Sequence, residues 1–214
     1  MLEEATRLIL VRHGETAWNR ATRIQGHTDI PLSALGLAQA ERLAQALADE
    51  PLAAVYSSDL SRARQTAEAL ANAQGLPVHL DTALRERSFG RFEGLSWQEI
   101  DQGHPEDAAR WRRREPDFPV GGGESLNAFS ARCLDATRRA VAAHPGCSIA
   151  LVAHGGVLDC LYRAATRIAL DAPRSWQLGN ATINRLLATP GGFTLIGWND
   201  DRHLAGLSVS DIAA

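Results

Sequence analysis

Short apolar runs alternating with longer amphipathic stretches constrain this chain more than any other feature. Leu8-Ile9-Leu10-Val11 reads as a buried strand. Leu32 to Glu50 follows as a helix, with Leu35, Leu43 and Leu47 among its apolar positions and Ser33 as N-cap. Ala53 to Tyr56 is a second strand, and Ser58 or Asp59 caps a helix running to Ala73. Pro77 to Leu80 reads as a third strand. Ile149 to Val152 is the clearest of all and ends in Ala153-His154-Gly155-Gly156 before another helix. Ile183 to Ala188 and Phe193 to Trp198, joined through Pro190-Gly191-Gly192, form a late hairpin. This alternation predicts an α/β fold, a three-layer sandwich whose mostly parallel central sheet is flanked by helices. The 214 residues fit one domain. Residues 96–124, with Trp97, Trp111, three prolines and Gly121-Gly122-Gly123, read as a small lid insertion.

Charge narrows the chemistry. All 22 basic residues are Arg and none is Lys. A lysine Schiff base and a P-loop ending in Gly-Lys-Ser/Thr are therefore excluded. The net charge of −3 argues against general binding to nucleic acid or a membrane surface. No stretch approaches the roughly 18 apolar residues of a membrane span. The first apolar run is too short for a secretory signal, and Glu3-Glu4 precede it in place of positive charge. Cys133, Cys147 and Cys160 are odd in number and lack CxxC spacing, which suggests neither disulfides nor a zinc site. The expected compartment is the reduced cytoplasm.

Open α/β sheets take ligands beyond the carboxyl ends of their strands. The residues just past the predicted strands are Arg12-His13-Gly14-Glu15-Thr16, Ser57 to Arg62, and His154-Gly155-Gly156. Two histidines and two arginines, Arg12 and Arg62, thus converge on one edge, near helix starts whose N–H groups receive anions. A phosphoryl group needs this set. Arg forks neutralise its oxygens bidentately, a neutral imidazole attacks in line, and a second histidine, preferably protonated, donates to an oxygen. Gly14 and Gly155 let the backbone approach closely. A carboxyl group must protonate the leaving alkoxide, and Glu86, after the third strand, is the best candidate; Glu15 and Glu93 are its rivals.

The stretch Leu-Val-Arg-His-Gly-Glu-Thr at 10–16 resembles the signature of the histidine phosphatase superfamily, the phosphoglycerate mutase-like enzymes. The resemblance continues through Asn19, Gln25-Gly26, Ser57 to Ala67, Leu84 to Gly94, Gly123 to Leu126 and Ala153 to Gly156, in order along nearly the whole chain. It implies a phosphoglycerate mutase-like fold. It makes His13 the phosphorylated nucleophile, Arg12, Arg62 and His154 the phosphate pocket, Glu86 the proton donor and acceptor, and Asn19 and the Gln25-Gly26 backbone further phosphate contacts. No metal and no cofactor is implied. The partner would be a small phosphorylated metabolite. Oligomeric state is left open, a dimer included.

The short chain and the Phe89 to Gly94 and Gly155-Gly156 sequences resemble the phosphatase branch, with water as acceptor. Arg112, Arg113 and Arg114 resemble instead the lid arginines with which mutases grip a substrate carboxylate, a grip that a phosphatase of phosphorylated acids could share. The alternatives are a cofactor-dependent phosphoglycerate mutase and a non-catalytic module that binds phosphorylated ligands. Arg64, Arg85, Arg87 and Arg91 read as surface charges, and His27, His79, His104 and His144 as solvated or capping. Asp200 to His203 reads as a turn, Cys133 as core, and Gly121-Gly122-Gly123 as a flexible hinge.

Overall fold

The computed structural model of the chain describes residues 5–207. Its elements run β1 (Thr6–Arg12), α1 (Ala17–Arg20), α2 (Ala34–Ala46), β2 (Leu52–Ser57), α3 (Ser61–Gln74) and β3 (Val78–Leu80). They continue with α4 (Trp97–Gly103), α5 (Pro105–Arg112), α6 (Leu126–Ala142), β4 (Ser148–Ala153), α7 (Gly155–Thr166), β5 (Ile183–Thr189) and β6 (Gly192–Asp200). The strands form one six-stranded sheet in the order β3-β2-β4-β1-β5-β6. Pairings among β3, β2, β4 and β1 are parallel, and β5 and β6 join antiparallel.

Period-two alternation sorts the residues of β1 and β4 between two faces. Leu8, Leu10, Ile149 and Leu151 pack with Phe129 and Cys133 of α6 and Leu158 of α7. Ile9, Val11, Ala150 and Val152 pack with Leu43 of α2 and Ala67 and Leu70 of α3. Both faces are covered, so these strands carry unbroken apolar runs. The chain leaving β1 turns to the α2 face, whereas the chain leaving β4 turns to the α7 face. Between those neighbouring strand ends opens the crevice in which α/β sheets take ligands.

Local chemistry moves some boundaries. Ser33 caps α2 by accepting from the Gly36 N–H, as expected, but the helix ends at Ala46. Neither Ser58 nor Asp59 caps α3. The Asp59 carboxylate is taken by Arg85, and Asp29 caps from a distance by accepting from the Ser61 N–H at 2.7 Å and the Ser61 hydroxyl. Residues 96–124 build around Ile100, Ala108, Phe118 and Val120 with Phe92, a core separate from those of the sheet. Gly121-Gly122-Gly123 is not a loose hinge. A Cβ on Gly121, at φ +61°, would stand 2.0 Å from the Phe89 carbonyl, and one on Gly123 2.1 Å from the Ser88 carbonyl. The glycines let two backbones touch and fasten this segment to residues 88–90. Among the described residues, no helix is long and apolar enough to cross a membrane.

Candidate active site

Arg12 lies opposite Ala153 in the parallel pairing of β1 with β4, so His13 and His154 emerge side by side. Their ring centroids are 5.2 Å apart. Both are buried. The His13 Nδ1 lies 2.7 Å from the Gly14 carbonyl oxygen, which only accepts, so Nδ1 carries the proton and Nε2 keeps its lone pair. The Gly14 N–H in turn donates to the Thr66 hydroxyl at 3.0 Å. A Cβ on Gly14 would approach the Gly36 carbonyl to 2.5 Å, so the turn after β1 demands glycine.

Around these rings, the Nε of Arg12, the Nε of Arg62 and both nitrogens of His154 are buried with no hydrogen-bond partner among the described residues. Buried polar groups are nearly always paired, so a cluster of orphans in one crevice fits an anion. Both outer nitrogens of Arg62 and one of Arg12 are anchored. Arg62 donates to the carbonyls of Thr28 at 3.0 Å and Gly26 at 2.7 Å, and Arg12 donates to Leu178 at 2.8 Å. Burial pulls Arg62 down to about 10, still charged at neutral pH. Burial, and then the charges of Arg62 and Arg12, hold His13 well below 6.5. Burial and Arg62 do the same for His154. Both shifts favour the neutral imidazole.

Glu86 lies on an irregular segment beside the start of α7, where Gly155 stands between it and Arg12. Its Oε1 accepts from the Arg87 N–H at 2.8 Å and its Oε2 from the Gly156 N–H at 2.9 Å, at the start of α7. Arg132 holds that segment by donating to the carbonyls of Ala83, Arg85 and Glu86. His27, expected to be solvated or capping, donates from Nε2 to the Glu86 carbonyl at 2.8 Å and so helps to position that segment. The rival carboxylates are committed elsewhere. Glu93 accepts from the backbone of His27, Thr28 and Phe89, and Glu15 accepts from Arg20 and Ser33.

Beside Glu86, Gly155 and Gly156 lies a cavity of about 140 Å³, walled further out by Arg87, Arg114 and Arg174. Arg87 is buried and donates to the Glu124 and Phe118 carbonyls, contrary to the surface role expected of it. The structure separates the three lid arginines. Arg114 bridges the Asp159 carboxylate at 3.0 Å and the Leu170 carbonyl at 2.7 Å. Arg113 is exposed and paired with Glu115, away from the cavity walls. Arg112 pairs with Asp101 and lines an adjoining outer space. Asn19 and Gln25 lie at the crevice's edge, where their side-chain oxygens accept from Thr16. Gly26, at φ +55°, serves Arg62 through its carbonyl.

Residues 8–201 match the family model of the histidine phosphatase superfamily, branch 1. The chain belongs to the histidine phosphatase superfamily. It is 36% identical over 207 residues to a metal-independent phosphoserine phosphatase of Arabidopsis thaliana, covering 95% of this chain and 85% of that protein. It is 40% identical over 202 residues to phosphoglycerate mutase-like protein 4 of the same plant, covering 92% and 86%. Among solved structures, a mycobacterial glucosyl-3-phosphoglycerate phosphatase superposes with a TM-score of 0.82 at 34% identity, covering 92% of this chain and 99% of that one. The chain is thus an enzyme, a phosphatase of this superfamily.

In this histidine phosphatase, several groups at the crevice escaped sequence reading. Asn180 donates to the carbonyls of His13 at 2.9 Å and Gly14 at 3.3 Å, tying the 172–182 loop to the turn after β1. The Ala181 N–H donates to the Arg12 carbonyl at 2.9 Å. Thr66 stands one helical turn after Arg62 on α3, a spacing that could have marked it. Arg174 and Asn180 follow no strand or motif, and nothing local marks them. A cavity of about 740 Å³ among Thr6, Pro145 and Gly192 lies at the opposite end of the sheet and holds none of these groups. Among the described residues, no group of three or more His, Cys, Asp or Glu is placed to hold a metal ion.

Proposed function

We propose that this enzyme hydrolyses a small phosphate monoester through a phosphohistidine on His13, with residues 96–124 as the lid of the site. The observation that carries the reading is the free His13 Nε2 amid the unpartnered groups of Arg12, Arg62 and His154. Nε2 attacks phosphorus in line, and the ester oxygen leaves with a proton from Glu86. Water then attacks the phosphohistidine and loses its proton to Glu86, and the breaking P–N bond returns its electron pair to Nε2. Arg12, Arg62 and the N–H of His154 meet the phosphoryl oxygens throughout, with Asn19, Gln25, Gly26 and Gly155 at the pocket's edge. Charge neutralisation by guanidinium forks supplies what such a transfer needs, so the reaction calls for no metal.

The substrate class follows from the cavity beside Glu86. Arg87, Arg114 and Arg174 wall the space that the leaving group enters, so a phosphorylated carboxylic acid fits best. A phosphoserine phosphatase and a glucosyl-3-phosphoglycerate phosphatase among its relatives support that class. The test is release of phosphate from p-nitrophenyl phosphate, 3-phosphoglycerate and phosphoserine, with an acid-labile phosphoenzyme trapped on ice. Full activity after His13→Ala would sink the mechanism. Interconversion of 3- and 2-phosphoglycerate with a bisphosphate primer, faster than hydrolysis, would replace water by a bound acid as acceptor.

A further inference from the structure

His13 keeps its proton on Nδ1 only while the Gly14 carbonyl oxygen stays 2.7 Å from that nitrogen. The carbonyl belongs to the peptide between Gly14 and Glu15, and a glycine leaves such a plane free to turn over. Two side-chain amides grip the plane at its two ends. Asn180 donates to the Gly14 carbonyl at 3.3 Å, and the Glu15 N–H donates to the Oε1 of Gln39, on α2, at 2.8 Å. We propose that Asn180 is a positioning residue for the nucleophile: with Gln39 opposite, it holds the Gly14–Glu15 peptide so that His13 presents a bare Nε2. This role rests on the phosphohistidine reading above and deepens it.

A neutral imidazole carries its proton on either nitrogen, and the hydrogen bond on offer decides which. Turned over, the same peptide would offer an N–H in place of an acceptor. The proton would then pass to Nε2, the atom that has to attack. Asn180 is well placed to prevent this. Three oxygens surround its Nδ2, those of the His13 and Gly14 carbonyls at 2.9 and 3.3 Å and the Asn19 side chain at 3.4 Å. They settle the orientation of the amide and leave that nitrogen no hydrogen for a substrate oxygen, so Asn180 acts through His13 and not on the substrate.

Residues 179–182 bring Asn180 there as a strained strap. Ala181 is buried at φ +53°, a left-handed conformation that a residue with a Cβ keeps only where its surroundings hold it. Here they do. The Ala181 N–H donates to the Arg12 carbonyl at 2.9 Å, and the His203 Nε2 donates to the Ala181 carbonyl at 3.0 Å. On either side, the Gly179 N–H donates to the Asn199 Oδ1 at 2.8 Å and the Thr182 hydroxyl to the Gly179 carbonyl at 3.1 Å. With Asn180, the strap takes the carbonyls of Arg12, His13 and Gly14 in succession. Its own braces do not use the Asn180 side chain, so the strap keeps its place without it.

The tautomer can be read directly, by nitrogen-15 NMR of protein labelled in its histidines, with His13→Ala locating the His13 signals. In wild type the ring should carry its proton on Nδ1. Asn180→Ala should spread the proton over both nitrogens, and Gln39→Ala should do the same from the other end of the plane. Gln39→Glu keeps an acceptor for the Glu15 N–H and should leave the tautomer as in wild type. Phosphoenzyme formation from p-nitrophenyl phosphate should slow about fivefold in the two alanine variants, in step with the share of nucleophilic tautomer left. Binding of inorganic phosphate, which Arg12 and Arg62 hold, should not change. A proton on Nε2 in wild type would overturn the proposal, as would an unshifted tautomer in Asn180→Ala and Gln39→Ala. Slower phosphoenzyme formation without a shift of the proton would make Asn180 a structural brace and overturn it too. A wild type with its proton on Nδ1 that forms no phosphoenzyme would sink the phosphohistidine reading alone.

Discussion

The imidazoles of His13 and His154 stand 5.2 Å apart because each is the first residue past one of two neighbouring parallel strands. Neither ring finds a carboxylate partner. The Gly14 carbonyl accepts from the Nδ1–H of His13, and among the described residues the nitrogens of His154 meet no hydrogen-bonding partner. Two imidazoles beside the buried Arg62 and the half-buried Arg12 form a site in which added positive charge is costly and an anion relieves the cost.

Stability should therefore fall on the acid side of neutrality. Both histidines titrate lower in the folded chain than the usual 6.5, so the unfolded chain takes up protons first as pH drops. Their contribution is complete above the unfolded value and is lost as pH falls through 6.5 towards the folded values. His203, lowered by its own burial, adds in the same direction. Urea midpoints between pH 7.5 and 5 should decline, and His154→Asn should flatten the decline. An unchanged slope in that variant would remove the pair as its cause.

Glu86→Gln should separate proton transfer from attack. With an alkyl phosphate, turnover should fall by about 10² to 10⁴, the usual worth of general acid–base catalysis. With p-nitrophenyl phosphate, phosphoenzyme formation should fall far less, because nitrophenolate leaves without a proton. Two N–H groups, of Arg87 and Gly156, point at this carboxylate, and a glutamine offers an acceptor to only one. A stability loss of about 1 kcal/mol should accompany the change. Equal losses on both esters, read by rapid-quench kinetics, would deny Glu86 the role of acid.

The fold was legible in the sequence where burial is two-sided and local. Leu8–Val11 and Ile149–Val152 are apolar on both faces, and their successors His13 and His154 could be placed at strand ends without knowing the pairing. Glu86 stood out less clearly, because its segment follows no regular pattern. Arg132 and His27, distant in sequence, hold it in place. Arg87 read as a surface charge because nothing in its neighbourhood reveals that the Phe118 and Glu124 carbonyls converge on it. Asn180 and Arg174 stayed hidden for the same reason. Their contacts are long-range, made by a loop without period.

Gly156→Ala should injure the same acid by a steric route. A Cβ there would lie 2.2 Å from Glu86 Oε1 and 3.0 Å from the Phe129 ring, so the carboxylate must swing away. Alanine suits a helix better than glycine by about 1 kcal/mol, which offsets part of the strain. Turnover of an alkyl phosphate should drop by at least about tenfold while the thermal midpoint moves little. A large loss of stability with activity per folded molecule unchanged would refute the steric route.

Arg113 and Arg114 are adjacent in sequence and should differ in effect. Arg113 is exposed with Glu115, so Arg113→Ala should leave KM within about twofold, as surface pairs are worth little. Arg114 lines the cavity and donates to Asp159, a carboxylate that also accepts from Arg163 at 2.8 Å. Arg114→Ala should raise KM for 3-phosphoglycerate and phosphoserine by about tenfold, with less effect on p-nitrophenyl phosphate, which lacks a carboxylate. Asp159→Asn should act more broadly. It leaves Arg163, 1% exposed, without its counter-charge, at a cost of about 3 kcal/mol, and it releases Arg114 from the wall of the pocket. Steady-state kinetics on the carboxylated and uncarboxylated esters, beside chemical denaturation, would read both effects. Equal rises in KM for Arg113→Ala and Arg114→Ala would mean that the lid arginines act together and not through Arg114.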